Sequence, residues 1–118
     1  MESLQLAKEF ADAFEERIGQ DIKILKVEEL TTLADYFVLV SGQSNTQVRA
    51  LADAAEDRLQ ALGLSAPRRE GRGGDSWILM DAGTVIAHVF TKEAREYYQL
   101  EKLWADAETV EINDSEND

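Results

Sequence analysis

Residues 34–47 of this chain, ADYFVLVSGQSNTQ, contain an unbroken β-prone apolar run that is followed by a turn and a helix start. Because residues 36–40 do not alternate with polar residues, they predict a central strand that is covered on both faces. Residues 41–43 have the composition of a turn. Ser44, followed three positions later by Gln47, is a capping-box signature. This stretch therefore predicts a buried strand that leads directly into a helix.

Helices and further strands are predicted on both sides of this unit. Residues 3–18 predict a first helix, because they carry an apolar stripe at every fourth position, with Gly19 as its cap. The helix after Ser44 is predicted to end near Leu62, before Gly63. Residues 92–104 predict a last helix. Further strands are predicted at residues 21–27, 68–70, 77–80 and 85–90, the last two joined by a tight turn.

The predicted order of elements indicates an α/β (α+β) fold. It is a single domain whose mixed sheet of about five strands is flanked by helices. We assign this domain to residues 1–106. Residues 107–118 contain five acidic residues and no basic one, and they predict a disordered acidic tail.

Composition excludes several classes of protein. The chain has 12 basic and 24 acidic residues, a formal charge of −12. Such a chain repels phosphate backbones, so little direct nucleic-acid contact is expected, and a basic partner is favoured. Without cysteine there is neither a disulfide framework nor a cysteine metal site. No apolar stretch approaches a membrane span, and the N-terminus does not resemble a signal peptide. We therefore expect a cytoplasmic protein without membrane contact.

The turn before the second predicted helix allows two interpretations. Gly42 and Ser44 resemble the Gly-x-Ser turn that holds a nucleotide phosphate at a helix N-terminus in nucleotidyltransferases. Those enzymes also need two carboxylates on one strand face, two residues apart, to hold Mg²⁺. Here the hairpin strands offer only Asp81, with Asp75 in the loop before them, six residues away. The favoured interpretation is that Ser44 caps its helix, and a nucleotide-binding enzyme is kept as the alternative.

His88, the only histidine, does not indicate catalysis or metal binding. The pattern Gly-x-Ser-x-Gly of a serine nucleophile is absent, and no spacing of metal ligands accompanies His88. We predict a half-buried strand histidine that donates a hydrogen bond. No catalytic residue, metal or cofactor is expected.

Aromatic residues are concentrated in the C-terminal part, as Trp77, Tyr97, Tyr98 and Trp104. On a continuous helix, Tyr97, Leu100, Glu101 and Trp104 would share one side. Such residues either pack in a core or act as the anchors that tryptophan and tyrosine often provide in protein interfaces.

A family resemblance is carried by several short motifs between about residues 21 and 104. They are Asp35-Tyr36-Phe37-Val38, Ser41-Gly42-Gln43-Ser44, Glu70-Gly71, Trp77 with Asp81 and Gly83, His88-Val89-Phe90, Arg95, Tyr98-Gln99-Leu100-Glu101 and Leu103-Trp104. Together they resemble the signature of the ribosomal silencing factor family, also called iojap-related. The first helix and the tail match only loosely.

The resemblance implies a fold similar to the nucleotidyltransferase core without its catalytic carboxylates, and a function without catalysis. Family members bind ribosomal protein uL-fourteen on the large ribosomal subunit. They sterically block association with the small subunit and so repress translation under nutrient limitation. Members in organelles are tied to assembly of the large subunit, and free members can form homodimers. The chain resembles a bacterial cytosolic member.

The resemblance also implies which residues meet the ribosome. The hairpin and the last helix are expected to face it, with Trp77, Tyr98 and Trp104 as apolar anchors. Asp81 and Glu101 are expected to pair with lysine or arginine of the partner. His88 is expected to orient one of these residues. The expected partner-binding set is Trp77, Asp81, His88, Tyr98, Leu100, Glu101 and Trp104.

Overall fold

The computed structural model describes residues 1–72 and 74–112. In chain order the elements are α1 (Ser3–Glu16), β1 (Gln20–Lys26), β2 (Tyr36–Gly42), α2 (Asn45–Ala61), β3 (Arg68–Arg72), β4 (Trp77–Asp81), β5 (Val85–Thr91), α3 (Lys92–Tyr98), α4 (Leu100–Leu103) and β6 (Glu108–Val110). One sheet has the order β3-β4-β5-β2-β1-β6. Its β2–β5 pair is parallel and its other pairs are antiparallel. The predicted fold class is confirmed. Within the described ranges no helix has both the length and the apolar character that crossing a bilayer requires.

The central strand β2 is buried along all seven residues, as the run at residues 36–40 predicts. The predicted cap of α2 is confirmed, since Ser44 Oγ accepts a hydrogen bond from the Gln47 amide at 3.1 Å. In a capping box the Gln47 side chain would accept a hydrogen bond from the Ser44 amide. Here Gln47 Oε1 accepts instead from the amide of the preceding residue, Gln43, at 2.7 Å. Gln47 Nε2 also donates to the Ile18 carbonyl at 3.2 Å. The start of α2 is thereby tied to the end of α1.

Two cores form because the sheet is covered on both faces. On one face α1 and α2 pack Phe10, Phe14, Leu51 and Leu59 against Val38, Val40, Val89 and neighbouring residues. On the other face a smaller core contains Leu25, Val27, Phe37, Leu39 and Phe90, with Ala94 of α3. Because α3 and α4 together are short, they cover only part of this second face.

The end of α1 differs from its prediction. The residue with a left-handed backbone is Ile18, with φ of +61°, and not Gly19. Ile18 is 74% exposed, so it does not belong to the apolar stripe. Gly19 is required for another reason, since a Cβ there would lie 2.5 Å from Val40 Cγ2. The glycine permits close approach between the helix end and the sheet.

The prediction of one helix over residues 92–104 is wrong. The helix breaks at Gln99, whose φ and ψ are +50° and +48°. Thr91 Oγ1 caps α3 by accepting from the Ala94 amide at 3.1 Å. After the break, Leu100 and Trp104 turn into the smaller core. Tertiary packing therefore overrides the helical spacing on which the prediction depended.

The prediction of a disordered tail from residue 107 is wrong for Glu108–Val110. These residues form β6, antiparallel to β1, which gives the sheet six strands where about five were predicted. Val110 and Ile112 pack against the larger core. Their apolar side chains supply the energy for pairing, although acidic residues surround them. Residues 113–118 of the predicted tail lie outside the described residues.

Candidate functional site

The candidate site is the part of the second sheet face that α3 and α4 leave uncovered. Side chains of alternate strand residues point to the same face, so Trp77, Leu79 and Asp81 of β4 share it with Ile86 and His88 of β5. Tyr98 at the end of α3 joins them through Trp77, at 4.6 Å between ring centroids. We call Trp77, Leu79, Ile86, His88 and Tyr98 the aromatic face.

Trp77 lies at the centre of this face. Its ring stacks on Phe90 at 5.3 Å, with 29° between the planes. Its Nε1–H donates to His88 Nδ1 at 3.2 Å. Tyr98 is 43% exposed, and Tyr97, whose ring contacts Tyr98 at 5.1 Å, is 80% exposed. The structure therefore brings the predicted anchors together, with Trp77 half-buried and Tyr98 exposed, and adds the exposed Tyr97 to them.

His88 is buried, with 5% of its surface exposed, where the sequence predicted a half-buried residue. Its ring contacts Phe37 edge-on at 5.0 Å and stacks on Phe90 at 6.0 Å. Its Nδ1 accepts a hydrogen bond from Trp77, although the sequence predicted that His88 would donate one. Because an indole N–H can only donate, Nδ1 must carry no proton, and the neutral ring has its proton on Nε2.

Asp81 lies at the rim of the aromatic face, at the hairpin turn. Its Oδ1 accepts a hydrogen bond from the Gly83 amide at 2.8 Å. Gly83 has φ of +92°, which a residue with a side chain rarely adopts. Asp81 therefore stabilises the turn between β4 and β5 in addition to any contact with a partner.

Glu101 is engaged inside the molecule, a role that the sequence did not predict. Arg95 Nε donates to Glu101 Oε1 at 2.9 Å, and Lys23 Nζ lies 2.9 Å from Glu101 Oε2. The bonds from Arg95, followed by those from Lys23, lower the pKa of Glu101 to about 2 against the opposing effect of burial. Both carboxylate oxygens are thus occupied without a partner protein.

Arg95 is the residue of this region whose role sequence reasoning missed. It is 8% exposed, and its Nη1 donates to the Asp21 carbonyl at 2.8 Å and to Ser41 Oγ at 2.9 Å. With Glu101 it joins α3 and α4 to β1 and β2. Its presence in the family signature was the only signal, because its partners are far away along the chain.

Leu100 and Trp104, which complete the predicted partner-binding set, are half-buried in the smaller core. Trp104 contacts Phe37 edge-on, with 5.0 Å between ring centroids. Because of the break at Gln99, Tyr97 points to solvent and does not share a side with them. The structure packs Leu100 and Trp104 against the smaller core, as it does Trp77, and it leaves Tyr97 and Tyr98 exposed.

The residues of the nucleotide-binding alternative do not converge. Gly42 pairs with Thr91 at one end of the sheet, and Asp81 pairs with Ile86 nearer the other end. Five residues of strand separate these positions on β5, which is roughly 16 Å. Asp75 is paired with Arg49, at 3.4 Å. Among residues 1–72 and 74–112 no group of three potential metal ligands comes together.

Charge is distributed unevenly along the chain. Residues 68–104, which contain the whole aromatic face, have six acidic and six basic residues. The rest of the chain has 18 acidic and 6 basic residues, so it contributes the entire net charge of −12. The segment that carries the aromatic face is therefore neutral in an otherwise acidic protein.

Comparisons with known proteins agree on one family. The family described as "Ribosomal silencing factor during starvation" matches residues 1–118. The Ribosomal silencing factor RsfS of Bacillus subtilis is 36% identical over 113 residues, which is 96% of each chain. A crystal structure of a Chromobacterium violaceum protein superposes with a TM-score of 0.85 at 36% identity, over 89% of this chain and 88% of that one. The mouse protein named Mitochondrial assembly of ribosomal large subunit protein 1 is 32% identical over 89 residues, 73% of this chain and 39% of that protein.

Proposed function

The chain belongs to the ribosomal silencing factor family, and we propose that it binds the large ribosomal subunit and prevents the small subunit from joining it. Its contact on the large subunit is ribosomal protein uL-fourteen, and its effect is to repress translation in the cytoplasm under nutrient limitation. The names of its relatives support a role in silencing and a link to the large subunit.

The observation that carries this proposal is the aromatic face. Trp77 and Tyr98 stand together on β4 and α3, with Tyr97 exposed beside them. Tryptophan and tyrosine are enriched among the residues that dominate binding energy in protein interfaces. The hairpin that carries Trp77 is part of a six-stranded sheet. The anchor is thus held in place before binding, which lowers the entropy lost when a partner docks.

The distribution of charge supports a protein partner over ribosomal RNA. The segment with the aromatic face is neutral, so it can approach a basic ribosomal protein without burying a large charge excess. The acidic remainder of the chain repels the phosphate backbone and attracts basic protein surfaces at long range. This combination favours docking by the aromatic face and disfavours contact with RNA elsewhere.

Blocking subunit association needs no chemical step. The molecule measures 35 × 33 × 30 Å along its principal axes. A domain of this size can offer roughly 800 Å² to a partner, which is enough for a specific interface. Bound at the surface where the subunits meet, it need only occupy the space of a subunit contact.

The test is sedimentation of the protein with purified ribosomal subunits. We expect it to travel with the large subunit and to reduce formation of the joined ribosome. Trp77→Ala and Tyr98→Ala should weaken both effects. Ile18→Ala is the matched control, because Ile18 is also exposed but lies at the end of α1. A wild-type protein that stays at the top of the gradient would contradict the proposal and favour a test of nucleotide binding at Gly42 and Ser44.

The same face supports a second proposal, self-association of the free protein. An aromatic patch that leaves Tyr98 43% exposed and Tyr97 80% exposed can also pair with a second copy of the chain. A homodimer formed in this way would have to dissociate before the large subunit is bound. Sedimentation equilibrium should then show that Tyr98→Ala weakens the dimer, and large subunits should capture the protein as a monomer.

A further inference from the structure

We propose that His88 is a positioning residue that orients the Trp77 indole for the partner, and that it does so only while the imidazole is neutral. The inference rests on the proposed function, because it concerns the central anchor of the aromatic face. His88 is the buried member of that face, with 5% of its surface exposed. It therefore acts through Trp77 and not by touching the partner.

The hydrogen bond supplies an orientation that ring packing alone does not. Trp77 stacks on Phe90 with 29° between the planes and contacts Tyr98 at 48°. Such aromatic contacts fix where the ring lies, but they tolerate several orientations. A hydrogen bond is directional, and the 3.2 Å bond from Nε1–H to His88 Nδ1 selects one edge of the indole.

His88 can serve as a fixed acceptor because its own ring is held on two sides. Phe37 contacts it edge-on at 5.0 Å with 73° between the planes, and Phe90 stacks on it at 14°. The acceptor position is consequently set by the smaller core. Trp77 takes its orientation from the interior of the protein before any partner arrives.

The protonation state of His88 decides whether this bond exists. A neutral imidazole has one nitrogen that accepts, whereas an imidazolium donates from both nitrogens. Protonation therefore places an N–H at Nδ1, directly opposite the indole N–H. Two donors repel each other, so Trp77 must move away from the orientation that the neutral ring selects.

Charged residues flank His88 on both sides along the sheet. One row of paired residues crosses the strands in the order Glu70, Leu79, His88, Leu39 and Lys23. The backbones of Glu70 and Lys23 are each two strands from that of His88, roughly 10 Å. Other charged positions on this face are Arg68, Arg72, which pairs with Trp77 in the sheet, and Asp81; Arg95 and Glu101 are bonded to each other below α3. The flanking leucines and aromatic rings give an imidazolium little of the solvation that water would provide.

The first measurement uses the free protein and needs no ribosome. The chain has two tryptophans, so its NMR spectrum has two indole N–H signals, and Trp104 serves as an internal reference. On acidification we expect the Trp77 signal to shift as the His88 ring titrates, while the Trp104 signal stays constant. An unchanged Trp77 signal through the titration of His88 would overturn the proposal.

The second measurement is the affinity for the large subunit across the same pH range. Loss of one hydrogen bond should weaken binding by about fivefold at the acidic end. His88→Asn keeps an acceptor near the position of Nδ1 but cannot take up a proton, so it should bind well at every pH. His88→Leu removes the acceptor and should bind weakly at every pH. Thermal melting of both variants establishes that they are folded.

The results separate this inference from the proposed function. If the wild-type protein fails to bind the large subunit near neutral pH, the proposed function fails. If wild type binds but folded His88→Leu binds equally well, only the inference fails. It also fails if His88→Asn retains the pH dependence of wild type. The Trp77→Phe variant lacks the indole N–H donor. Adding His88→Leu to this variant should therefore cause no further loss of affinity for the large subunit.

Discussion

Arg95 and Glu101 form a two-pronged ion pair across the break between α3 and α4, with Arg95 Nε 2.9 Å from Oε1 and Nη2 3.2 Å from Oε2. The same arginine donates hydrogen bonds from Nη1 to the Asp21 carbonyl and to Ser41 Oγ. This pair fixes the segment that returns the chain from the aromatic face to the smaller core.

Glu101→Gln should destabilise the fold near neutral pH by about 1 kcal/mol, a value reduced for partial solvent exposure. Because the pKa of Glu101 is lowered to about 2, its stabilising effect is present above the ordinary carboxyl range and is lost as the pH falls toward 2. Urea unfolding at several pH values should show the difference between variant and wild type shrinking in acid. Glu96→Gln, on exposed α3 surface, is the control. A difference that is constant with pH would contradict the assignment.

Removal of residues 107–118 should lower the free energy of unfolding by about 1–3 kcal/mol, because burial of Val110 and Ile112 and the β6 pairing are lost. A shorter truncation that removes residues 113–118 leaves β6 in place and is the matched control. Chemical denaturation of both forms measures the difference. If the two truncations have the same stability, β6 contributes nothing to the fold.

Gly19→Ala should destabilise the protein by about 1–3 kcal/mol, since the added methyl group must displace core atoms. The nearest of these is Val40 Cγ2, 2.5 Å from the position of the new Cβ. Ile18→Gly should have the opposite effect, a gain of about 1 kcal/mol, because a β-branched residue at φ of +61° is strained. The two variants can be compared by thermal melting. Equal destabilisation by both would show that the end of α1 is not organised as described.

Raising the salt concentration should slow association with the large subunit and leave dissociation nearly unchanged. The physical reason is that the excess of acidic residues outside residues 68–104 acts at long range, where salt screens it. Glu15→Gln with Asp57→Asn should reduce the salt effect, because both residues are exposed helix positions that form no ion pair among the described residues. Stopped-flow mixing at several salt concentrations supplies the rates. An association rate that does not change with salt concentration would argue against electrostatic steering.

Local patterns in the sequence determined much of the fold. The buried run in β2, the cap at Ser44, the end of α2 before Gly63 and the β4–β5 hairpin all depend on neighbouring residues. Each is therefore visible within a short window of sequence. The aromatic residues were identified as core or interface candidates in the same way. The sequence could not decide which of them is core and which is interface. Periodicity shows which side chains share a face of a helix or strand, but not which other element packs on that face.

Tertiary structure alone decided the remaining features, because their energy comes from residues far apart in the chain. Arg95 meets Asp21 across 74 positions, and Lys23 meets Glu101 across 78, so no local pattern reveals the break at Gln99. The pairing of β6 with β1 is equally non-local. These contacts turn Trp104 into the core and engage Glu101 within the molecule. Trp77 stays half-buried and Tyr98 exposed because the short α3 and α4 leave that part of the sheet uncovered.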